Sequence, residues 1–373
     1  MKQVIAAVSF LILLGCSDSK KLKTESYSVG FRTIHAVDKS RVYKPGTDTT
    51  DYLHYRSMDI DLWYPAEASA TGSVVLFRDL LGLLDKRANY YTASHAGDGL
   101  SRQIAQMFCE GFKCSDTTRL LNFKTGSWRD APPVKGEFPL VIYLSAYNGM
   151  SYENFSLFED LVRKGFVVVS ISSIGRFPGD MTMKNEDMME QVNDAIASFN
   201  ELKLNSNIDF SKIGLVGYSW GGLSASILAG KIPNVACLIS LDGSEFHHYG
   251  SSNEEDTDFE SIRNGADFKN MRLSMPYLRL ESSLLPDVLT EDSVYNFSEK
   301  LSSGVQILRI DSAQHEDFGC LSLVVKESGN CKNNHHFETI SKLTSGFLEE
   351  HLKRRSAFSQ IVAEEMGKIH RNQ

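Results

Sequence analysis

No basic stripe runs through this chain: 47 Asp and Glu outweigh 39 Lys and Arg across 373 residues, for a net charge of −8. Phosphate backbones are gripped by clustered cations, so nucleic acid is excluded as an expected partner. No set of Cys and His has the spacing of a zinc finger, so the six cysteines are not read as a metal framework and no cofactor is expected. The apolar run at the N-terminus, Val4 to Leu14, is too short to span a bilayer comfortably. What remains is a chain of ordinary apolar content, 42%, whose residues 27–373 suit one large α/β domain.

The N-terminus reads as a targeting segment. Met1-Lys2 supplies a short positive start before the apolar run, which marks residues 1–15 as a signal peptide. The run ends in Leu13-Leu14-Gly15-Cys16, which resembles a bacterial lipobox and implies acylation of Cys16. Residues 16–26 then form a polar tether, and an acylated Cys16 holds the protein on a membrane without a transmembrane helix. Ser17, rather than Asp, directly after the cysteine favours the outer membrane of the bacterial envelope. Export permits oxidation, so Cys109 with Cys114 and Cys320 with Cys331 are candidate disulfides closing small loops. Cys237, inside the apolar run Val235 to Ile239, is expected to be a buried free thiol.

Along the body, Tyr27 to Ala36 and Ser57 to Trp63 read as strands. Residues 77–134 show helical periodicities interrupted by Gly97, Gly99 and Gly126 and are expected to be a helical insertion. Two roles stay open for it, a cover over the mouth of a site or a plain structural connection. After Pro132-Pro133 the pattern becomes regular. Continuous apolar strands (Phe138 to Leu144, Gly165 to Ile171, Lys212 to Val216, Val235 to Leu241, Pro276 to Leu280, Val305 to Ile310) are separated by helical stretches such as Tyr152 to Lys164, Glu186 to Leu204 and His335 to Leu352. That alternation predicts a mostly parallel sheet covered on both faces, with any ligand at the carboxyl ends of its strands. The tail from Phe358 to Ile369 is weakly amphipathic and is expected to pack on the body.

The most informative segment is Gly217-Tyr218-Ser219-Trp220-Gly221, a G-x-S-x-G between a predicted strand and a predicted helix. The glycines permit a sharp turn that exposes the serine, and the helix behind it offers N–H groups to an oxyanion. A serine hydroxyl needs a base within reach. His315 follows the last predicted strand after a short turn, whereas His247 and His248 come too soon and His335, His336, His351 and His370 lie on or near late helices. Two residues qualify as the acid. Asp242 abuts the end of the strand Val235 to Leu241 and is preferred; Asp287 stands several residues beyond the strand Pro276 to Leu280.

Trp63-Tyr64-Pro65, Gly217 to Gly222, Leu241-Asp242 and His315-Glu316-Asp317-Phe318 together resemble the platelet-activating-factor acetylhydrolase and dienelactone-hydrolase-like branch of the α/β-hydrolases, over roughly Ser57 to Leu352 outside the insertion. The resemblance implies an α/β-hydrolase fold with the acid after the strand that follows the nucleophile helix, as Asp242 is placed. The family's His-Gly-x-Gly is replaced here by Ser145-Ala146-Tyr147-Asn148-Gly149, which keeps only the last glycine. By position the resemblance assigns the oxyanion-binding N–H groups to Asn148 and Trp220. Tyr147 stays open, either as a wall of the acyl pocket or as part of the donor loop.

The expected activity is a serine carboxylic-ester hydrolase that uses an acyl-enzyme on Ser219 and needs no cofactor. Its partners are then a small-molecule or lipid ester, of short-acyl or lipid-like type, and a membrane reached through the lipid anchor. Cleavage of polysaccharide acyl esters, a peptidase with the same triad, and a non-catalytic binding lipoprotein are the alternatives; the chain is too short to add the propeller domain usual in long exopeptidases.

Overall fold

The computed structural model describes residues 26–67, 72–88, 99–111, 116–177, 181–246, 253–283, 297–302, 304–328 and 335–371. Cys16, Cys114, His247, His248, Asp287 and Cys331 therefore lie outside the described residues.

The strands are β1 (Ser28–Val42), β2 (Tyr55–Ala66), β3 (Val74–Leu76), β4 (Lys124–Arg129), β5 (Phe138–Leu144), β6 (Val167–Ile171), β7 (Ile208–Tyr218), β8 (Val235–Leu241), β9 (Tyr277–Ser282), β10 (Val305–Ile310) and β11 (Ile369–Arg371). They form one sheet in the order β11-β10-β9-β8-β7-β5-β6-β2-β1-β4-β3. From β6 through β5, β7, β8 and β9 to β10 every pairing is parallel, so these six strands present their carboxyl ends to the same side. The two ends of the sheet are three-residue strands paired antiparallel, which leaves little edge for a foreign strand to extend.

The helices are α1 (Phe77–Ala88), α2 (Gly99–Gly111), α3 (Thr117–Leu121), α4 (Phe155–Arg163), α5 (Asn185–Leu202), α6 (Trp220–Ala229), α7 (Asn253–Asn264), α8 (Ala266–Lys269), α9 (Leu321–Ser328), α10 (His335–Lys353) and α11 (Phe358–Glu364). Side chains alternate across a strand, and the apolar runs are sorted accordingly. Val141, Tyr143, Val168, Val216 and Ile239 face a core closed by Phe158 and Leu161 of α4 and Phe347 and Leu348 of α10. Leu140, Ile142, Val169, Leu215 and Leu238 face the opposite core, with Met188 and Val192 of α5 and Leu223 of α6. Continuous hydrophobicity in these strands is the signature of burial on both faces, as expected from the sequence.

Two expectations are corrected in detail and a third is extended. The first strand runs on to Val42, well past Ala36, because β1 pairs with β2 along nearly its whole length and shifts register only between Asp38 and Val42. Among the described residues, the stretch 77–134 is helical only in α1, α2 and α3; Lys124–Arg129 is a strand lying parallel to β1, and Ala66 bridges to Pro133. Phe77 packs against Tyr152 and Phe155, so α1 lies on the α4 face of the sheet. The tail packs on the body through Phe358 and Val362 of α11 and then adds β11 to the sheet edge, a strand too short for its sequence to announce.

Cys237 is a buried free thiol as expected, whereas the disulfide expectation for Cys109 and Cys320 is not met. Cys109, Cys237 and Cys320 are buried and free. Cys320 donates its thiol to the Glu153 carbonyl at 3.2 Å, packed in the core rather than placed at a loop closure. Cys114 and Cys331, the proposed partners, are among the residues not described.

Candidate active site

Strand β7 delivers Ser219 at its carboxyl end. Ser219 has φ 54° and ψ −122°, a conformation that costs an L-residue about 1–3 kcal/mol and persists only when neighbours hold it. Three hydrogen bonds do so: Ser219 N–H to the Leu241 carbonyl at 3.0 Å, and the Ser219 carbonyl accepting from Gly222 at 2.9 Å and Ser244 at 3.0 Å. The flanking glycines are required by close approach. A Cβ on Gly217 would collide with the Gly221 carbonyl, and one on Gly221 with the carbonyl of Leu144. The turn thus packs helix α6 directly against the ends of β5 and β7.

Asp242 follows β8 with its side chain fully buried. Its N–H donates to Leu280 at 2.7 Å, binding the residue to the neighbouring strand β9. The carboxylate accepts from His315 Nδ1 at 2.8 Å, from the Ser282 N–H at 3.0 Å and from Ser282 Oγ at 2.8 Å. The guanidinium of Arg279 stands 3.9 Å away. Burial alone would raise this carboxyl. The His315 hydrogen bond and charge, Arg279 and the Ser282 N–H outweigh it and hold the group down at about 2, so Asp242 is a carboxylate at neutral pH.

His315 opens a short 3-10 turn, His315–Phe318, after β10. Its Nε2 lies 2.9 Å from Ser219 Oγ. A carboxylate only accepts, so Nδ1 carries the hydrogen toward Asp242 and Nε2 is left as the acceptor for the serine hydroxyl. The turn is held from two sides. Tyr218 donates its hydroxyl to the His315 carbonyl at 2.9 Å and lays its ring near the imidazole, 5.1 Å between centroids. Asp317 accepts from Gln314 N–H at 2.9 Å and pairs with His336 Nδ1 at 2.9 Å, which ties the turn to the start of α10.

The structure therefore brings Ser219, His315 and Asp242 into one hydrogen-bonded line, although they stand 96 and 73 positions apart in pairs along the chain. Trp220 sits in the first turn of α6 beside the serine, and Asn148 occupies the facing loop after β5 with φ 55°. The Tyr147 hydroxyl donates to the Met181 carbonyl at 2.8 Å and its ring packs edge-on to Trp220, which makes it part of the loop's scaffold.

Several contributors carried no sequence signal. Ser282 closes β9 and donates to Asp242, but a serine closing a strand is too common to notice. Arg279 is buried behind the acid and contacts Glu281 at 2.9 Å, Glu245 at 3.4 Å and the Gly243 carbonyl at 2.9 Å. Glu153 accepts from the Ala146 N–H at 2.9 Å and from the Tyr143 hydroxyl at 2.8 Å. Among the described residues, no cluster of three or more His, Cys, Asp or Glu is arranged to hold a metal ion.

An alpha/beta hydrolase fold family matches residues 139–284, the segment from β5 to just beyond β9. Among solved structures, a ferulic acid esterase from Streptomyces cinnamoneus superposes with a TM-score of 0.60 at 19% identity, covering 88% of this chain and 91% of its own. No curated protein matches the sequence. The chain has the α/β-hydrolase fold, and the coverage of that superposition extends well beyond the segment matched by sequence.

Proposed function

We propose that this chain is a serine ester hydrolase that works through an acyl-enzyme on Ser219. The observation that carries the reading is the unbroken line from Ser219 Oγ through His315 to a buried, ionised Asp242. Ser219 Oγ attacks the ester carbonyl carbon while its proton passes to His315 Nε2. The resulting imidazolium is stabilised by Asp242. The carbonyl oxygen becomes an oxyanion that accepts from the N–H groups of Asn148 and Trp220, each such donor being worth about 3 kcal/mol in the transition state. The tetrahedral centre then breaks its bond to the alcohol, which leaves with the proton from His315. Water, deprotonated by His315, hydrolyses the acyl-enzyme and frees Ser219.

For substrate we favour short-acyl or lipid-like esters, the preference implied by the platelet-activating-factor acetylhydrolase-like motifs around Ser219, Asp242 and His315. Acyl esters on polysaccharides are the second reading, and the resemblance in fold to a ferulic acid esterase supports ester hydrolysis in general. The segment from Met1 to Cys16 supports a lipid-anchored protein of the bacterial envelope. The deciding experiment compares p-nitrophenyl esters of graded acyl length with methyl ferulate, using the parent chain and Ser219→Ala. Loss of about 10⁴-fold or more in the variant is expected. Equal rates in both proteins, at the buffer blank, would sink the esterase reading. Palmitate labelling lost on Cys16→Ala would support the anchor, and unlabelled parent protein would remove it.

A further inference from the structure

The dipeptide Glu153-Asn154 lies between the two loops that any acyl transfer at Ser219 must hold in register. On one side the Glu153 carboxyl accepts from the Ala146 N–H at 2.9 Å, inside the Ser145–Gly149 loop. On the same oxygen it accepts from Tyr143 Oη at 2.8 Å, and Tyr143 in turn accepts from Asn154 Nδ2 at 2.7 Å. The second carboxyl oxygen is tucked beneath Gly149, where a Cβ would strike it. On the other side Asn154 Nδ2 donates to the Phe318 carbonyl at 3.0 Å, and the Glu153 carbonyl accepts from Cys320 N–H and Sγ, both at 3.2 Å. Phe318 closes the turn that His315 opens, and Cys320 follows it.

We propose that Glu153 is a positioning residue for acyl transfer: its carboxyl sets the donor loop Ser145–Gly149, and its main chain, with Asn154, sets the turn carrying His315. The inference rests on the serine-hydrolase reading and adds to it a residue that touches no substrate. It also assigns a protonation state to the working form. Burial, only partly offset by the Ala146 and Tyr143 donors, pushes the Glu153 carboxyl up to about 8. Near neutrality it is then mostly the uncharged acid, which anchors the loop without adding a negative charge against it. Ionisation puts a like charge there and opposes the transition state.

The surrounding groups leave that ionisation as the one expected in the mildly alkaline range. Tyr143 on β5, Tyr218 on β7 and Tyr152 beside Glu153 are all raised by burial, and burial pushes the Cys320 thiol up to about 12. Glu159 on α4, also raised by burial, accepts from Ser127 Oγ at 2.6 Å and pairs with Arg163 at 3.4 Å. The cation on the α1 side, Arg87, is engaged by Asp61, Ser151 and Ser172.

The test uses the full chain, with p-nitrophenyl acetate turnover and fluorophosphonate labelling of Ser219 measured from pH 6 to pH 10. The parent is expected to lose kcat on an alkaline limb. Glu153→Gln, which keeps the shape and cannot ionise, should stay within about threefold of the parent at pH 7 and lose that limb. Glu153→Ala should lower both kcat and the labelling rate about tenfold with KM little changed, as expected for a lost hydrogen-bond anchor. An identical alkaline limb in Glu153→Gln overturns the inference, as does parent-like labelling of a folded Glu153→Ala. If Glu153→Ala does not fold, the pH profile of Glu153→Gln decides. A parent that neither turns over ester nor labels at Ser219 overturns the serine-hydrolase reading and this inference with it. A reactive parent with unaltered Glu153 variants overturns this inference alone.

Discussion

Two buried carboxyls flank the Ser219 site and are driven in opposite directions. Asp242 is held at about 2, whereas Glu153 is pushed up to about 8. Burial raises both. The difference lies in the partners: Asp242 has the His315 ring, the Arg279 guanidinium and the Ser282 donors, while among the described residues Glu153 has an amide N–H and a phenol. Cations nearby favour the charged form, and neutral donors compensate desolvation only in part. In the proposed mechanism the fold thus keeps a carboxylate where an imidazolium would be stabilised and an uncharged acid beside the loop that would bind the oxyanion.

The comparison can be tested from its strongest arm to its weakest. Asp242→Asn keeps the shape but inverts the hydrogen-bonding demand on His315, so ester turnover should fall about 10⁴-fold. Asp287→Asn should retain activity, and the reverse pattern in steady-state kinetics would move the acid role to Asp287. Arg279→Met leaves Glu245, Glu281 and Asp242 without their shared buried cation. Denaturant unfolding should register a loss of about 3–5 kcal/mol, the range for a buried charge left unpaired. A loss below 1 kcal/mol would mean that Arg279 does not govern the acid side. Ser282→Ala removes one hydroxyl donor to Asp242 while the backbone N–H remains, so kcat should drop about tenfold. An unchanged kcat would leave the orientation of Asp242 to His315 and the backbone alone.

Stability against pH gives the cleanest contrast. For Asp242 the native state favours the ionised form, so its contribution is present above the ordinary value of 3.8 and is lost as pH falls toward about 2. For Glu153 the native state favours the protonated form, so its contribution is present below 4.5 and is lost as pH rises toward about 8. Thermal unfolding of Glu153→Gln should therefore gain on the parent progressively between those two values and run parallel above them. A constant offset across that window would show that Glu153 ionises as it does in the unfolded chain.

Much of the fold and of the candidate site is legible in the sequence. The apolar runs marked β5, β6, β8 and β10 to within a residue or two, because strands buried on both faces must be hydrophobic throughout. The edges were less legible: β4 and β11 are half-exposed strands whose sequences carry no clear alternation, and they exist because neighbours offer unpaired backbone. Ser219 announced itself through its glycines, whose reason is local packing of α6 on β5 and β7. His315 was found by its place after β10. Glu153, Arg279 and Ser282 had no such mark, since a charged or polar residue in a sequence reads as surface until a partner buries it.

The sequence alone determined the alternation of buried strands and helices, and with it the order in which Ser219, Asp242 and His315 reach the carboxyl edge of the sheet. Both are properties of local pattern, repeated along the chain. Tertiary structure alone decided that Ser282 and Arg279 stand behind Asp242, that Cys320 is a core thiol, and that burial pushes the Glu153 carboxyl up to about 8. Those outcomes depend on burial and on partners distant in sequence, and an ionisable group has no fixed charge until the fold has chosen its surroundings.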